Sequence, residues 1–286
     1  MTGRGGSAAY GPAFSASCAR AGRDELDEWL GFALAACDAA DEIALHHFRR
    51  DLEISTKPDR SFVTIADQSI ERLIRERIHA RFPDHGLVGE EYGEEAGAGS
   101  TRWYIDPIDG THNYIRGVPL FGTLLALEID GEMQLGVLSA PALRERWYAS
   151  RGGGAWAVGA AGQAGPRRIQ VSRVASLADS QILYGSAAEL DASGLVPGFR
   201  GLLRAAWRER GFGDFWGYAL LAEGAAEAMI EVDAKTWDLA APLVLIEEAG
   251  GRLTDFSGAR RIDRLQMVAS NGILHEEVLA RLRTAG

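Results

Sequence analysis

The chain has 286 residues, 47% of them hydrophobic, which is enough for one large domain or two small ones. Forty acidic residues against 30 basic ones give a net charge of −10, which argues against nucleic acid as a partner because a phosphate backbone requires a basic surface. No apolar run reaches the roughly 18 residues that a membrane span needs, so we expect no membrane partner.

The chain is predicted to begin with a polar extension and a long helix. Residues 1–23 are rich in Gly, Ala and Ser and lack the apolar segment of a secretory signal, so we expect a disordered extension. Residues 24–48 are predicted to form a helix because apolar residues recur there at spacings of three and four. Cys18 and Cys37 form no paired motif, which favours a reduced, cytoplasmic setting over a disulfide framework or a zinc site.

A short strand at residues 52–55 and a polar loop containing Lys57 are predicted next. Thr64 and Asp67 have the spacing of a capping box in front of an amphipathic helix. Capping alone would explain Asp67, and a solvated surface position would explain Lys57.

The next acidic stretch, Gly89-Glu90-Glu91, follows a short apolar strand. Paired glutamates in a loop are usually solvated, and this explanation stands as long as the stretch is considered alone. Residues 94–100 are predicted to be a flexible connector because small and charged residues dominate them.

The most informative stretch is Trp103 to Thr111, in which an apolar strand end leads into Asp106 and Asp109. Pro107 fixes φ between the two carboxylates, and the following Gly lets the backbone approach a ligand. Carboxylates bind hard cations such as Mg²⁺, and free N–H groups at a helix start bind phosphate. The stretch therefore indicates metal-assisted phosphoester chemistry, although turn formation and helix capping would also account for the two Asp residues.

The rest of the chain alternates strands and helices, which predicts a mixed α/β or α+β domain. Predicted strands cover residues 122–128, 132–139, 145–150, 155–158, 168–171, 181–185, 226–231 and 267–270. Predicted helices cover residues 199–210, 212–223, 238–250 and 274–282, with Pro242 tolerated in the first turn of the third.

The stretch Asp106-Pro107-Ile108-Asp109-Gly110-Thr111 resembles the signature of the inositol monophosphatase superfamily, a group of Mg²⁺-dependent phosphatases. Three further segments match the same family in the expected order: Lys57-x-Asp59 leading to Val63-Thr64-x-Ala66-Asp67, then Gly89-Glu90-Glu91, then Trp237-Asp238-Leu239-Ala240-Ala241 with Glu248-Ala249-Gly250-Gly251. The resemblance runs from about residue 25 to the C-terminus, and four ordered motifs make it specific for the superfamily.

The resemblance implies a fold and a set of site residues. The fold is α+β, a layered αβαβα sandwich formed by one domain over residues 24–286, whose halves meet at about residue 175. Two or three Mg²⁺ ions are implied, held by Glu90, Asp106, the carbonyl of Ile108, Asp109 and Asp238. Asp67 and Thr111, with Glu90, are implied to activate water, and Gly110, Thr111 and Lys57 to bind phosphate. Substrate contacts are expected from Gly185, Ser186, Asp214 and Glu231, although Asp214 and Asp238 are also suitable as helix caps.

The segments around Gly213-Asp214-Phe215-Trp216 and Ser139-Ala140-Pro141 resemble the histidinol-phosphatase branch of the family. That resemblance implies hydrolysis of L-histidinol phosphate, whose amine suits carboxylate partners. The alternatives are an inositol 1-monophosphatase or broader sugar phosphatase and, from another class, a non-catalytic protein that binds a metal or phospho-ligand. The expected partner is a small phosphate ester, with a homodimer as the possible assembly.

Overall fold

The computed structural model describes residues 22–50, 54–56, 62–159, 165–264 and 266–284. Almost all of the predicted N-terminal extension lies outside these ranges, and so does the predicted phosphate ligand Lys57. The first helix begins at Arg23, one residue before its predicted start.

The helices and strands are numbered in chain order. The helices are α1 (Arg23–His47), α2 (Ile65–Arg81), α3 (Thr111–Ile115), α4 (Ala187–Ser193), α5 (Phe199–Ala205), α6 (Asp214–Ala222), α7 (Thr236–Glu248) and α8 (His275–Arg283). The strands are β1 (Ile54–Thr56), β2 (Phe62–Thr64), β3 (Gly86–Gly89), β4 (Gly93–Glu95), β5 (Thr101–Asp109), β6 (Gly122–Ile129), β7 (Glu132–Ala140), β8 (Glu145–Ser150), β9 (Gly154–Val158), β10 (Arg167–Ile169), β11 (Gln181–Tyr184), β12 (Arg208–Arg210), β13 (Ala228–Val232), β14 (Arg252–Asp255) and β15 (Gln266–Ser270).

Most of the strands form two sheets. The larger has the order β10-β9-β8-β7-β6-β5-β3-β4 and is antiparallel except for the β3–β5 pair. The smaller has the order β12-β11-β13-β15-β14, in which β11 runs parallel to both of its neighbours. Strands β1 and β2 form a separate antiparallel pair.

Helices cover both faces of each sheet, which gives five layers. Helices α1 and α2 pack on one face of the larger sheet because their apolar residues recur at helical spacing, as with the fully buried Ile70, Ile74 and Ile78. Helices α6 and α7 fill the space between the two sheets. Helices α5 and α8 pack on the outer face of the smaller sheet. The predicted αβαβα sandwich is therefore confirmed.

Several elements differ from the prediction. The predicted helix over residues 199–210 is wrong after Ala205, because Arg208–Arg210 instead pairs in parallel with β11 at the edge of the smaller sheet. Helix α4 was not predicted, and part of the expected connector at 94–100 is the edge strand β4. Helix α7 begins two residues earlier than expected, so Pro242 lies in its second turn and removes the hydrogen bond to the carbonyl of Asp238.

Strand β5 also differs from the prediction, which ended it at Ile105 in front of a rigid turn. The strand continues to Asp109. Its pairing with β6 shifts by one residue between Asp106 and Asp109, which is a β-bulge.

No helix among the described residues is long and apolar enough to cross a membrane.

Candidate active site

The bulge in β5 explains how Asp106 and Asp109 come together. Asp106 lies opposite Leu124 and Asp109 opposite Gly122, so three steps along β5 match two along β6. Residues three apart on a regular strand point to opposite faces of a sheet, and the one extra residue removes that difference. Both carboxyl groups are buried, and the charge of Asp109 contributes to the raised pKa of Asp106.

Five carboxyl groups share this buried region. Burial raises the pKa of Asp106 well above its ordinary range, and the charges of Glu90, Asp109, Asp238 and Asp67 raise it further. Burial likewise raises the pKa of Asp238 to about 7. The mutual repulsion shows that the structure brings together four predicted metal-ligand side chains and the predicted water-activating Asp67.

The cluster fits a hard cation. The Oδ1 atoms of Asp67 and Asp106 are buried and have no hydrogen-bond partner. Unpaired carboxylate oxygens among like charges are costly unless protons or a cation neutralise them, and oxygen donors of this kind suit Mg²⁺. Within the described ranges, no three Asp, Glu, His or Cys side chains already form a closed metal-ligand set.

The start of α7 places Asp238. Asp238 is the third residue of the helix rather than its N-cap, and its Oδ2 accepts a hydrogen bond from the backbone N–H of Lys235 at 2.7 Å. Burial is the main reason why the pKa of Asp238 is raised, while the bond from Lys235 and the interaction with Asp106 lower it. Asp238 therefore both stabilises the helix start and belongs to the cluster.

Asp67 makes the predicted capping box with Thr64. Thr64 donates from its backbone N–H, at 2.8 Å, and from its hydroxyl to Asp67 Oδ2. Burial, the largest cause, raises the pKa of Asp67 to about 6. The family resemblance implies that Asp67 positions water through Thr111 or through a metal. In the structure, the Thr111 hydroxyl donates to the carbonyl of Ile108 at 3.0 Å. The structure thus links Thr111 to a predicted ligand rather than to Asp67.

Gly110 is the N-cap of the short helix α3, and glycine is required at this position for two reasons. Its φ of +82° lies in the left-handed region, and a Cβ atom would meet the carbonyl oxygen of Leu120 at 2.9 Å. The N–H groups of Gly110 and Thr111 therefore come directly after the Asp106–Asp109 bulge, at the position expected for phosphate contacts.

Two hydrogen bonds connect α6 to the bulge and α3. The backbone N–H of Phe215 donates to Asp109 Oδ2 at 2.8 Å, and Asn113 Nδ2 donates to Asp214 Oδ2 at 3.1 Å. Asp214 has a φ of +57°, an uncommon conformation for a residue with a side chain. Its N-cap role is excluded because Gly213 is the cap. These contacts fix the first turn of α6 relative to the acidic cluster.

A cavity of about 430 Å³ opens beside the cluster. Its wall includes two predicted ligands, Asp109 and Asp238, and all four predicted substrate contacts, Gly185, Ser186, Asp214 and Glu231. Ser186 also caps α4, since its hydroxyl accepts the N–H of Glu189 at 3.3 Å. The wall is acidic because Glu189 and Asp233 line it as well.

Glu231 is a half-buried carboxylate of this wall. Burial raises its pKa to about 8, and the hydroxyl of Tyr218 donates to its Oε2 at 2.7 Å. Gly185 makes room for it, because a Cβ atom there would lie 3.0 Å from Glu231 Oε1. Tyr218 was not among the predicted substrate contacts, and its position on the buried side of α6 gives no sign of a site role.

Sequence reasoning also missed Glu71, which lies on α2 and is fully buried. Its Oε2 accepts the backbone N–H of Glu91 at 2.7 Å, and its Oε1 accepts those of Tyr92 at 3.1 Å and of the Arg75 side chain at 2.8 Å. Glu71 therefore holds the turn that follows Glu90. The available signal was a Glu and an Arg four residues apart on the apolar face of α2.

Comparison with known proteins assigns this arrangement to a family. The model of the inositol monophosphatase family matches residues 25–286. The chain belongs to this family. It is 44% identical to a histidinol-phosphatase of Mycobacterium tuberculosis over 88% of this chain and 97% of that protein. A histidinol-phosphatase of Streptomyces coelicolor is 41% identical, over 91% and 98% of the two chains. Among solved structures, an IMPase of Thermotoga maritima has a TM-score of 0.80 and 32% identity, over 89% of this chain and 96% of that one.

Proposed function

We propose that this member of the inositol monophosphatase family is a Mg²⁺-dependent phosphomonoester hydrolase that converts L-histidinol phosphate to L-histidinol. One observation carries the proposal: the buried carboxylate cluster adjoins a cavity lined by Asp214, Glu231, Glu189 and Asp233. A cation in the cluster suits a phosphate group, and the acidic wall suits the ammonium and imidazole of this substrate. The names of the 44% and 41% identical relatives support the same assignment.

The carboxylate cluster would hold the metal. Glu90, Asp106, Asp109, Asp238 and the carbonyl of Ile108 are the proposed ligands of two, or at most three, Mg²⁺ ions. When bound, such ions supply an acidified water and stabilise the negative charge that develops on the phosphate and the leaving oxygen.

The remaining chemistry belongs to groups of the chain. Asp67 would orient the attacking water through Oδ1, the oxygen that Thr64 leaves unpaired. The N–H groups of Gly110 and Thr111 would bind the phosphate oxygens, with Lys57 as a further cation. Thr111 would also fix the carbonyl of Ile108 by its hydroxyl.

The substrate's amine would lie against Asp214 and Glu231, with Gly185 and Ser186 at the mouth of the cavity. Asn113 leaves Asp214 Oδ1 able to accept a hydrogen bond, because Asn113 donates to Oδ2. A carboxylate wall also excludes competing anions by repulsion, so an unphosphorylated acid would enter poorly.

The test is phosphate release with Mg²⁺ from L-histidinol phosphate and from inositol 1-phosphate, measured side by side. We expect kcat/KM to be higher for L-histidinol phosphate, and Asp214→Asn to lower it about tenfold through KM, since one charged hydrogen bond contributes about 1.5–3 kcal/mol. Asp233→Asn is the matched control: Asp233 lines the same cavity, but its exposed carboxylate is paired with Lys235 at 2.7 Å, so its loss should change KM much less than the loss of Asp214. A preference for inositol 1-phosphate would reject the substrate assignment.

The second candidate is an inositol 1-monophosphatase or broader sugar phosphatase. Carboxylates such as Glu231 can accept the hydroxyl groups of a polyol as readily as an amine, and the T. maritima relative is an IMPase. A non-catalytic binding protein is disfavoured because all of the described ligand side chains are present. A cytoplasmic homodimer completes the proposal, and the molar mass in solution tests the assembly.

Glu71 provides a test of the metal proposal away from the ligands. Glu71→Gln removes a charged acceptor of the N–H groups that follow Glu90, so we expect the Mg²⁺ concentration for half-maximal activity to rise about tenfold, as is typical for partners of metal ligands. Activity at saturating Mg²⁺ should change little. Glu76→Gln, on the exposed side of the same helix, is the control and should leave the Mg²⁺ titration unchanged.

A further inference from the structure

Two aromatic side chains occupy the wall of the cavity next to Asp214. Phe212 and Trp216 both line it, and their ring centroids are 4.9 Å apart at an interplanar angle of 47°. Both are half-buried and pack against the core between the two sheets. The acidic wall therefore has an aromatic section that the metal chemistry does not need.

The position of this aromatic section is fixed relative to the acidic cluster. Trp216 is the third residue of α6, and its neighbour Phe215 is fully buried with its N–H bonded to Asp109. Asp214, the residue before Phe215, accepts a hydrogen bond from the side chain of Asn113. A substrate whose phosphate is bound by the N–H groups of Gly110 and Thr111, next to Asp109, would thus meet the indole at a defined distance.

An aromatic face beside carboxylates suits a flat, basic heteroaromatic ring. Ring stacking adds to the free energy gained by burying apolar area, and a protonated ring gains a cation–π attraction that is strongest with Trp. The negative charge of Asp214, the proposed partner of the amine, would also favour a protonated ring nearby. An alkyl group in this position would gain burial alone.

We propose that Trp216, paired with Phe212, is the specificity-determining residue that binds the imidazole ring of the substrate. This inference rests on the proposed function, because it assigns the ring of L-histidinol phosphate to one section of the wall. Trp216 has no part in the reaction at phosphorus, so it acts on substrate choice and not on the rate with a substrate that lacks the ring.

The experiment compares L-histidinol phosphate with L-alaninol phosphate, which has the same amine and phosphate but no ring. The variants are Trp216→Leu, which keeps apolar bulk without aromaticity, and Trp216→Phe, which keeps a ring. We expect Trp216→Leu to reduce the ratio of kcat/KM values about tenfold, through KM for the ring-bearing substrate, and Trp216→Phe to reduce it no more than about threefold.

Leu220→Ala is the structural control, because Leu220 is on the same helix and packs against the same core without lining the cavity. It should leave the ratio unchanged even if it lowers stability. Should Trp216→Leu fail to fold, Trp216→Met replaces it as the non-aromatic variant.

The possible failures are distinguishable. If wild type prefers L-histidinol phosphate and the non-aromatic variant keeps the same ratio, the ring assignment is wrong and the proposed function stands. If wild type prefers inositol 1-phosphate, the proposed function is wrong and the ring assignment falls with it.

Discussion

Asp109→Asn will lower phosphate release at least about 1000-fold while the protein stays folded. The substitution removes one carboxylate from the proposed metal site, and an uncharged amide is a poor ligand in its place. The asparagine oxygen can still accept the N–H of Phe215, so the link to α6 survives. The measurement is single-turnover phosphate release at saturating Mg²⁺, together with circular dichroism.

The same variant has a second, independent signature in thermal unfolding. Burial and the charges of Asp214, Asp238 and Glu231 raise the pKa of Asp109, so its ionisation at neutral pH costs folding free energy when no cation is present. Without Mg²⁺ the variant should therefore melt about 2–5 °C above wild type, and Mg²⁺ should stabilise wild type far more than the variant.

The control for Asp109 is Glu128→Gln. Glu128 is another carboxyl whose pKa is raised by burial, but it lies towards the opposite end of the β5–β6 pair, where Tyr104 donates to it at 3.0 Å. Its variant should keep activity and the Mg²⁺ response. Equal, measurable activity of wild type and Asp109→Asn would reject the metal site. If both were equally inactive on every ester tested, the alternative of a non-catalytic binding protein would be favoured.

Gly136→Ala should lower the free energy of unfolding by about 2–3 kcal/mol. Gly136 lies on β7, and a Cβ atom there would meet the backbone of Ala241 on α7, at 2.6 Å from its oxygen and 2.7 Å from its Cα. The contact is with backbone atoms, so no side chain can move aside to relieve it. Urea unfolding in the absence of Mg²⁺ measures the loss.

Gly31→Ala is the matched control for this substitution. Gly31 lies within α1, and a Cβ atom added there would meet nothing within 4 Å beyond its chain neighbours and the helix's own backbone, so alanine should be neutral or stabilise by up to about 1 kcal/mol. If the two alanine variants proved equally stable, the close approach of β7 and α7 would be refuted.

Much of this arrangement could be predicted because its signals are local. The four motifs, the adjacent strands predicted over residues 122–128 and 132–139, and the capping box of Thr64 and Asp67 all depend on residues close in sequence. Four of the predicted ligand side chains do share one buried region.

What could not be predicted depends on partners distant in sequence. The bulge at Asp106 and Asp109 exists only in register with β6, and β12 is a strand only because β11 lies beside it. In the sequence, Glu71 and Arg75 have the spacing of an ordinary ion pair on a helix. Only the folded chain shows that the backbone N–H of Glu91, in the turn after Glu90, donates to Glu71.

The acidic groups of the cluster lie far apart in the sequence, and this has a consequence for the order of folding. Asp67, Asp106 and Asp238 come from a helix start, a bulged strand of the larger sheet and the helix between the two sheets. Loops of many tens of residues must close before these groups meet, and their like charges oppose the final approach. A divalent cation therefore cannot nucleate the folding of this chain, because its site forms only after both sheets have packed against α7. We expect the bound cation to slow unfolding rather than to speed folding.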